Sequence, residues 1–165
     1  MYSEGTSRDV LLRKSSLSDY EIIDEMLCKL HKYHVENKPE VYKEIEHFFS
    51  KEEFEKILEE NNFFILSILD GVVVGLIWYR RAEKGNKFEK NRTQLWIDGI
   101  YVDERYRNKG IAKRLLNKVM DIAKNDGIDS IESMVWDFNE ASKKLFAKYF
   151  EVRAHIMSYN VKNKN

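Results

Sequence analysis

The sequence holds a single cysteine, Cys28, which excludes an intrachain disulfide and a cage of thiolates around a metal. One proline and seven glycines are too few for a flexible linker, and no internal repeat or low-complexity tract interrupts the chain. Charge of one sign is not in surplus. Lys and Arg together number 28, as do Asp and Glu, which argues against a nucleic-acid binder relying on excess positive charge. No apolar run approaches the ~20 residues needed to cross a bilayer. Residues 1–9 lack the apolar stretch of a secretory signal. What is present is a chain of 165 residues, 43% apolar and 34% charged. That is the size and composition of one soluble domain, expected to span residues 1–165, to sit in the cytoplasm and to bury a real core.

Periodicity divides the chain. A short strand over residues 10–13 leads to Ser18 and Glu21, a capping box that starts a helix with Ile23, Leu27, Leu30 and His34 on one face. Ser50 and Glu53 repeat the box before a second helix carrying Phe54, Ile57 and Leu58. The period then changes: residues 63–69 and 72–79 read as strands joined by Asp70-Gly71, a pair that tolerates the positive φ of a tight turn. The charged residues 80–92 read as a solvated connection, and 94–102 as a further strand. A long helix (about 110–125), a strand (130–136), a short helix (140–149) and a closing strand (152–161) complete the order. Strands gathered early and helices alternating late imply an α+β fold, with one mixed sheet flanked by helices.

Residues 107–112, Arg-Asn-Lys-Gly-Ile-Ala, stand between a strand and a helix. The free N–H groups of a first helical turn and the helix dipole make such a junction an anion site. Gly110 lets the backbone approach a bound group closely. Around it, Arg105, Arg107, Lys109, Lys113, Arg114 and Lys118 are accompanied by no acidic residue, and a pyrophosphate is the natural occupant. The spacing fits neither of the two common phosphate loops, Gly-x-x-x-x-Gly-Lys-[Ser/Thr] or Gly-x-Gly-x-x-Gly. A solvated helix cap with flanking cations is the simpler alternative.

The loop does match Arg/Gln-x-x-Gly-x-Gly/Ala after a strand reading Ile-Asp-Gly-Ile-Tyr-Val, with Asn139 following the next strand. In these motifs the chain resembles the Gcn5-related N-acetyltransferase family, most sharply over residues 96–148. The resemblance implies a mixed, mostly antiparallel sheet in the acyl-CoA N-acyltransferase fold. It implies acetyl transfer from acetyl-coenzyme A to a primary amine of a small molecule or peptide; the charge balance, the apolar runs and the cysteine count above lead us to expect no nucleic acid, no membrane and no metal. Members of the family often form homodimers through the late strands.

By the same resemblance, Ile100, Tyr101 and Val102 lie along the pantetheine arm, with Ile100 and Val102 offering main-chain groups. Arg107 opens the loop, and the N–H groups of Asn108, Lys109, Gly110, Ile111, Ala112 and Lys113 take the pyrophosphate. Asn139 contacts the cofactor arm, or simply caps the last helix; both roles are compatible. Asp98, four residues before Val102, falls where many members place a general base. Its alternative is a strand-end carboxylate exposed to solvent or bonded to backbone. In a regular strand Asp98 and Val102 share one face, and Ile97 and Tyr101 the other.

Where the family has a Tyr seven residues after the Asn, to protonate the departing thiolate, this chain has Phe146. Tyr149 is the candidate substitute, although a thiol of pKa near 8.5 leaves without help. The departure keeps open a second reading, a catalytically weak module that binds or senses acyl-coenzyme A. His31 and His34 have helical spacing for a metal but no evident third ligand. Residues 38–60 carry eight Glu against four Lys, an excess suited to a cationic amine or to a solvated helix alike.

Overall fold

The computed structural model describes residues 9–163, so nearly all of the segment 1–9, read above for a secretory signal, lies outside the described residues. The chain forms two compact units, Met1–Met134 and Val135–Asn165. The first contains β1 (Leu11–Lys14), α1 (Tyr20–Asn37), α2 (Lys51–Glu59), β2 (Asn62–Leu69), β3 (Val72–Lys84), β4 (Arg92–Val102), α3 (Ile111–Asn125) and β5 (Ser130–Ser133). The strands form one sheet in sequence order, antiparallel from β1 to β4 and parallel between β4 and β5. This is the expected mixed sheet flanked by helices.

Strand alternation sorts the core into two sides. Phe64, Leu66 and Leu76 pack with Ile23, Met26 and Leu27 of α1 and Phe54 of α2. The intervening Ile65 and Ile77 are equally buried and point to the opposite side of the sheet. There α3, which contacts β2, β3, β4 and β5, supplies Leu115, Leu116 and Val119.

Local signals set most boundaries. Ser50 and Glu53 do form a capping box: Ser50 N–H donates to Glu53 Oε2 (2.8 Å) and Glu53 N–H to Ser50 Oγ (3.1 Å). Asp70 (φ 53°) and Gly71 (φ 77°) close the β2–β3 turn. The first box lies two residues earlier than the sequence suggests. Ser16 N–H donates to Asp19 Oδ2 (2.8 Å), because Asp19 is the carboxylate that Arg13 clamps through two bonds of 2.8 Å.

Two further expectations fail. Residues 80–92 are not a solvated connection: β3 runs on to Lys84 and β4 begins at Arg92, leaving 85–91 as the connection. Backbone pairing from Arg80↔Trp96 to Lys84↔Arg92 carries these charged residues in strand form despite their exposure. Residues 152–161 form no closing strand, since no described strand pairs with them and Val152, Ile156 and Met157 are all exposed. Alternating apolar residues make a strand only when a ladder partner completes their hydrogen bonds. The second unit is built on α4 (Glu140–Phe146), which ends before residue 149, and a one-turn helix at Val161–Asn163. β5 likewise stops at Ser133 rather than 136.

The Arg13 guanidinium beside Asp19 lowers that carboxyl to about 2, and burial opposes it. A depressed carboxylate stabilises the fold above its unfolded pKa, and the contribution is lost as pH falls through about 2. Urea unfolding of Asp19→Asn is therefore expected to show a loss of about 1–2 kcal/mol at pH 7, discounted for the half-exposed Arg13. The gap to wild type should shrink steadily below pH 4.

Candidate functional site

The site begins where β4 leaves β5. The parallel ladder runs from Gln94↔Ser130 to Ile97↔Ser133 and ends there, closed by Ser133 Oγ–H donating to Ile97 O (3.0 Å). The antiparallel ladder to β3 continues to Gly75↔Val102. Among the described residues, 99–102 of β4 are thus paired on one edge only.

The phase of the β3 ladder fixes which groups that open edge presents. Asp103 N–H donates to Val74 O (2.9 Å), so Gly75 and Val102 form a non-hydrogen-bonded pair. By alternation Ile77 and Ile100 form another. The main-chain N–H and C=O of Ile100 and Val102 therefore point away from β3. The Val102 carbonyl already accepts Arg107 Nε at 2.9 Å, while that guanidinium lies 5.8 Å from the Tyr101 ring. Close approach of the two strands depends on Gly75, where a Cβ would stand 2.7 Å from Tyr101 O.

A β-bulge sits at the branch. Trp78 pairs with Gly99 but Tyr79 pairs with Ile97, so Asp98 is the extra residue. The bulge reverses the alternation beyond it. Tyr101, opposite Leu76, belongs to the core cluster of α1 and α2. Asp98 is on that same side, because Arg80, two residues from Trp78, bonds it. The regular-strand expectation that opposed Asp98 to Tyr101 is therefore wrong, and the inserted residue is the reason.

Asp98 Oδ2 accepts Arg80 Nε at 2.9 Å, and the Arg80 guanidinium lies 6.0 Å from the Trp96 ring. The Asp98 side chain keeps only 17% exposure although its backbone is open. Burial pushes its carboxyl above the usual range, and hydrogen bonds from Arg80 and Trp96 pull back only part of that rise. Arg80 was hidden in the sequence within the charged stretch. Its one visible signal is its place two residues after Trp78, on the same face of a strand.

The loop that follows completes the geometry. Asp103 anchors its start by accepting Arg105 N–H (3.0 Å) and the Arg105 side chain (2.9 and 3.1 Å), which holds its carboxyl at about 2. Asn108 (φ 60°) and Gly110 (φ 77°) turn the chain into α3, with Gly110 as N-cap. Arg114 N–H is bonded to Gly110 O (3.0 Å), so the N–H groups of Ile111, Ala112 and Lys113 at the helix start have no intrahelical acceptor. No acidic residue occupies this first turn, and apart from its chain neighbours no described residue fills the space where a Gly110 side chain would begin. Unpaired N–H donors, a basic flanking sequence and no acid are the features that an anion requires of a helix start.

In the second unit Asn139 Oδ1 accepts Ser142 N–H (3.1 Å), so it does cap α4. Phe146 is buried, its ring 5.0 Å from that of Phe150. Tyr149 lies beyond the helix end, 41% exposed, in a turn closed by its N–H on Phe146 O (3.0 Å). His31 and His34 do not converge on a metal: their rings bond Lys43 O (2.8 Å) and Leu30 O (2.9 Å) respectively. Among the described residues no three His, Cys, Asp or Glu are grouped to hold one.

A cleft of about 620 Å³ runs along α1 and residues 44–47, lined in part by Glu21, Glu25, Glu44, Glu46, Lys29 and Lys32. Neither Asp98 nor residues 107–113 line it. In its wall Asp24 accepts Phe48 N–H (2.7 Å), Phe49 N–H (3.2 Å) and His47 Nδ1–H (2.9 Å). These bonds hold Phe48 and Phe49 against Trp78, at 6.0 and 5.5 Å between rings. Sequence reading passed over this aromatic wall because its members are far apart along the chain.

A strand that leaves its neighbour thus runs into an acid-free helix start over the residues that carry the sequence motifs. The chain belongs to the Acetyltransferase (GNAT) family, whose profile matches residues 26–151. It is 24% identical over 161 residues to the Escherichia coli L-amino acid N-acetyltransferase AaaT, covering 94% of this chain and 91% of that one. A Bacillus subtilis protein, YwnH, provisionally named a phosphinothricin acetyltransferase, is 42% identical over 50 residues, which spans 30% of this chain and 31% of that protein. Among solved structures, a mutant BH1408 protein from Bacillus halodurans superposes with a TM-score of 0.86 at 18% identity, over 92% of this chain and 99% of that one. AAC(6')-Iy, bound to a bisubstrate analogue of coenzyme A and acetylneamine, gives 0.70 at 18% identity, over 93% and 99%. At such identities the two structures show the shared fold.

Proposed function

We propose that the protein transfers acetyl from acetyl-coenzyme A to a primary amine of a small molecule or peptide, by direct attack and without a covalent enzyme intermediate. The observation that carries this reading is the end of the β4–β5 ladder at Ile97, which leaves the Ile100 and Val102 main chain open beside Asp98 and ahead of the α3 N-terminus. The names of the relatives, for amino-acid and aminoglycoside acetylation, support an amine as acceptor.

Acetyl-coenzyme A supplies an activated thioester carbonyl. Ile100 and the free N–H of Val102 hold the pantetheine arm as a neighbouring strand would. The N–H groups of residues 108–113 and the cations around them hold the pyrophosphate. Asp98 takes the proton of the acceptor ammonium, so that the nitrogen lone pair is free to attack. Its desolvation makes it a stronger base than an exposed carboxylate. A main-chain N–H near Ile100 steadies the developing oxyanion. Phe146 has no proton to give, so as the C–S bond breaks solvent carries the second proton, lost by the attacking nitrogen, to the departing thiolate, with Tyr149 at most auxiliary. Cys28, on α1, bonds Glu46 O through Sγ (3.6 Å) and takes no part.

Phe146 also favours a second reading, a module that binds acyl-coenzyme A with little turnover. Thiol release across a panel of amines separates the two.

Two outcomes test the proposal. Calorimetric titration with acetyl-coenzyme A should give micromolar affinity for the wild type. Gly110→Glu should weaken it at least tenfold, because a side chain and a negative charge enter the space at the α3 start. Thermal melts control for the ~1 kcal/mol strain of a side chain at positive φ. Asp98→Asn should keep coenzyme A affinity while turnover falls by about 10²–10⁴-fold. The wild-type rate should rise with pH through a limb above the ordinary carboxylate range, and the variant should lack that limb. Wild-type turnover by Asp98→Asn would remove the base.

A further inference from the structure

Arg80 is the feature of the Asp98 site that proton transfer does not require. A guanidinium bonded to a base weakens that base, so its presence there calls for another use. Arg80 reaches Asp98 Oδ2 through Nε alone, the one hydrogen bond its side chain makes among the described residues. Its flat face is steadied by Trp96, its cross-strand partner, at 6.0 Å. The side chain is half exposed, against 17% for Asp98. The guanidinium is therefore fixed at its inner edge, and both Nη groups are left to bond something else. A pair of N–H groups at the end of a held guanidinium has the geometry that accepts a carboxylate through two parallel bonds.

The two fixed charges lie one hydrogen bond apart on the same side of the sheet. Trp78, two residues before Arg80, continues that side toward Phe48 and Phe49. Read together, these groups complement a molecule with a cation and an anion on one carbon and a side chain beyond them. We propose that Arg80 selects the acceptor by binding its carboxylate, and that the acceptor is a free α-amino acid whose ammonium faces Asp98. This rests on the acetyltransferase reading above and narrows it. An amine without a neighbouring carboxylate leaves the Arg80 Nη pair without a ligand partner, and the fixed guanidinium charge, of the same sign as its own ammonium, opposes it.

The test uses the full chain with acetyl-coenzyme A and reads thiol release. Acceptors are the standard L-amino acids, each paired with its α-amide. Loss of Arg80 alters Asp98 for every acceptor, so the informative quantity is the ratio of kcat/KM between an acid and its amide. The wild type should favour at least one acid over its amide. Arg80→Gln should lower that ratio tenfold or more, through KM of the acid, and Arg80→Lys should restore part of it. Calorimetry of the same acid against the protein saturated with coenzyme A should show binding that Arg80→Gln loses. A ratio unchanged in Arg80→Gln, or turnover of amides and simple amines but no acid, overturns the role of Arg80 and leaves the transferase standing. No thiol release with any acceptor overturns both.

Discussion

A strand edge that loses its neighbour is the constraint on which the rest of the site depends. Main-chain N–H and C=O groups must be satisfied, and β4 is half-buried along its length. Beyond Ile97 its outer edge has no partner in β5, while β3 holds the inner edge down to Val102. The Asp98 bulge is what lets this happen. It absorbs one residue, turns the following stretch, and brings Tyr101 rather than Ile100 into the core of α1 and α2. The same residue that breaks the register is thereby held, desolvated, at the branch. Position and chemical character of the candidate base have a single cause.

The charge pattern follows the same geometry. At the α3 start cations and free N–H groups occur without an acid, and Asp103, at the end of β4, is neutralised by Arg105 before the loop turns. At the bulge one carboxylate and one guanidinium are matched to each other and partly withheld from water. A chain with no net charge thus separates its charges locally, cations at the α3 start and a matched pair at the bulge.

The anion loop was legible in the sequence because its signals are local. A glycine at positive φ, an amphipathic helix beginning at Ile111 and the strand before it all fall within about a dozen residues, and the structure has each of them. The bulge was not legible, since it exists only in the register between β3 and β4, which no residue of β4 states alone. For the same reason Arg80 looked solvated: strand pairing with Trp96 overrides its polarity, and its contact with Asp98 spans 18 residues. The segment 152–161 errs in the other direction. Its alternation resembles a strand, but alternation provides no partner. The Ser16–Asp19 box was missed by two residues because Arg13, in the preceding strand, decides which acid is held.

The central claim is that the open edge of β4 and the first turn of α3 bind one continuous ligand. Amide hydrogen exchange on the full chain, with and without coenzyme A, addresses this directly. The account predicts slowed exchange concentrated at Ile100, Val102 and residues 108–113, with β2 and β3 unchanged. Protection confined to the α1 cleft, or none at these amides under saturating coenzyme A, would contradict it.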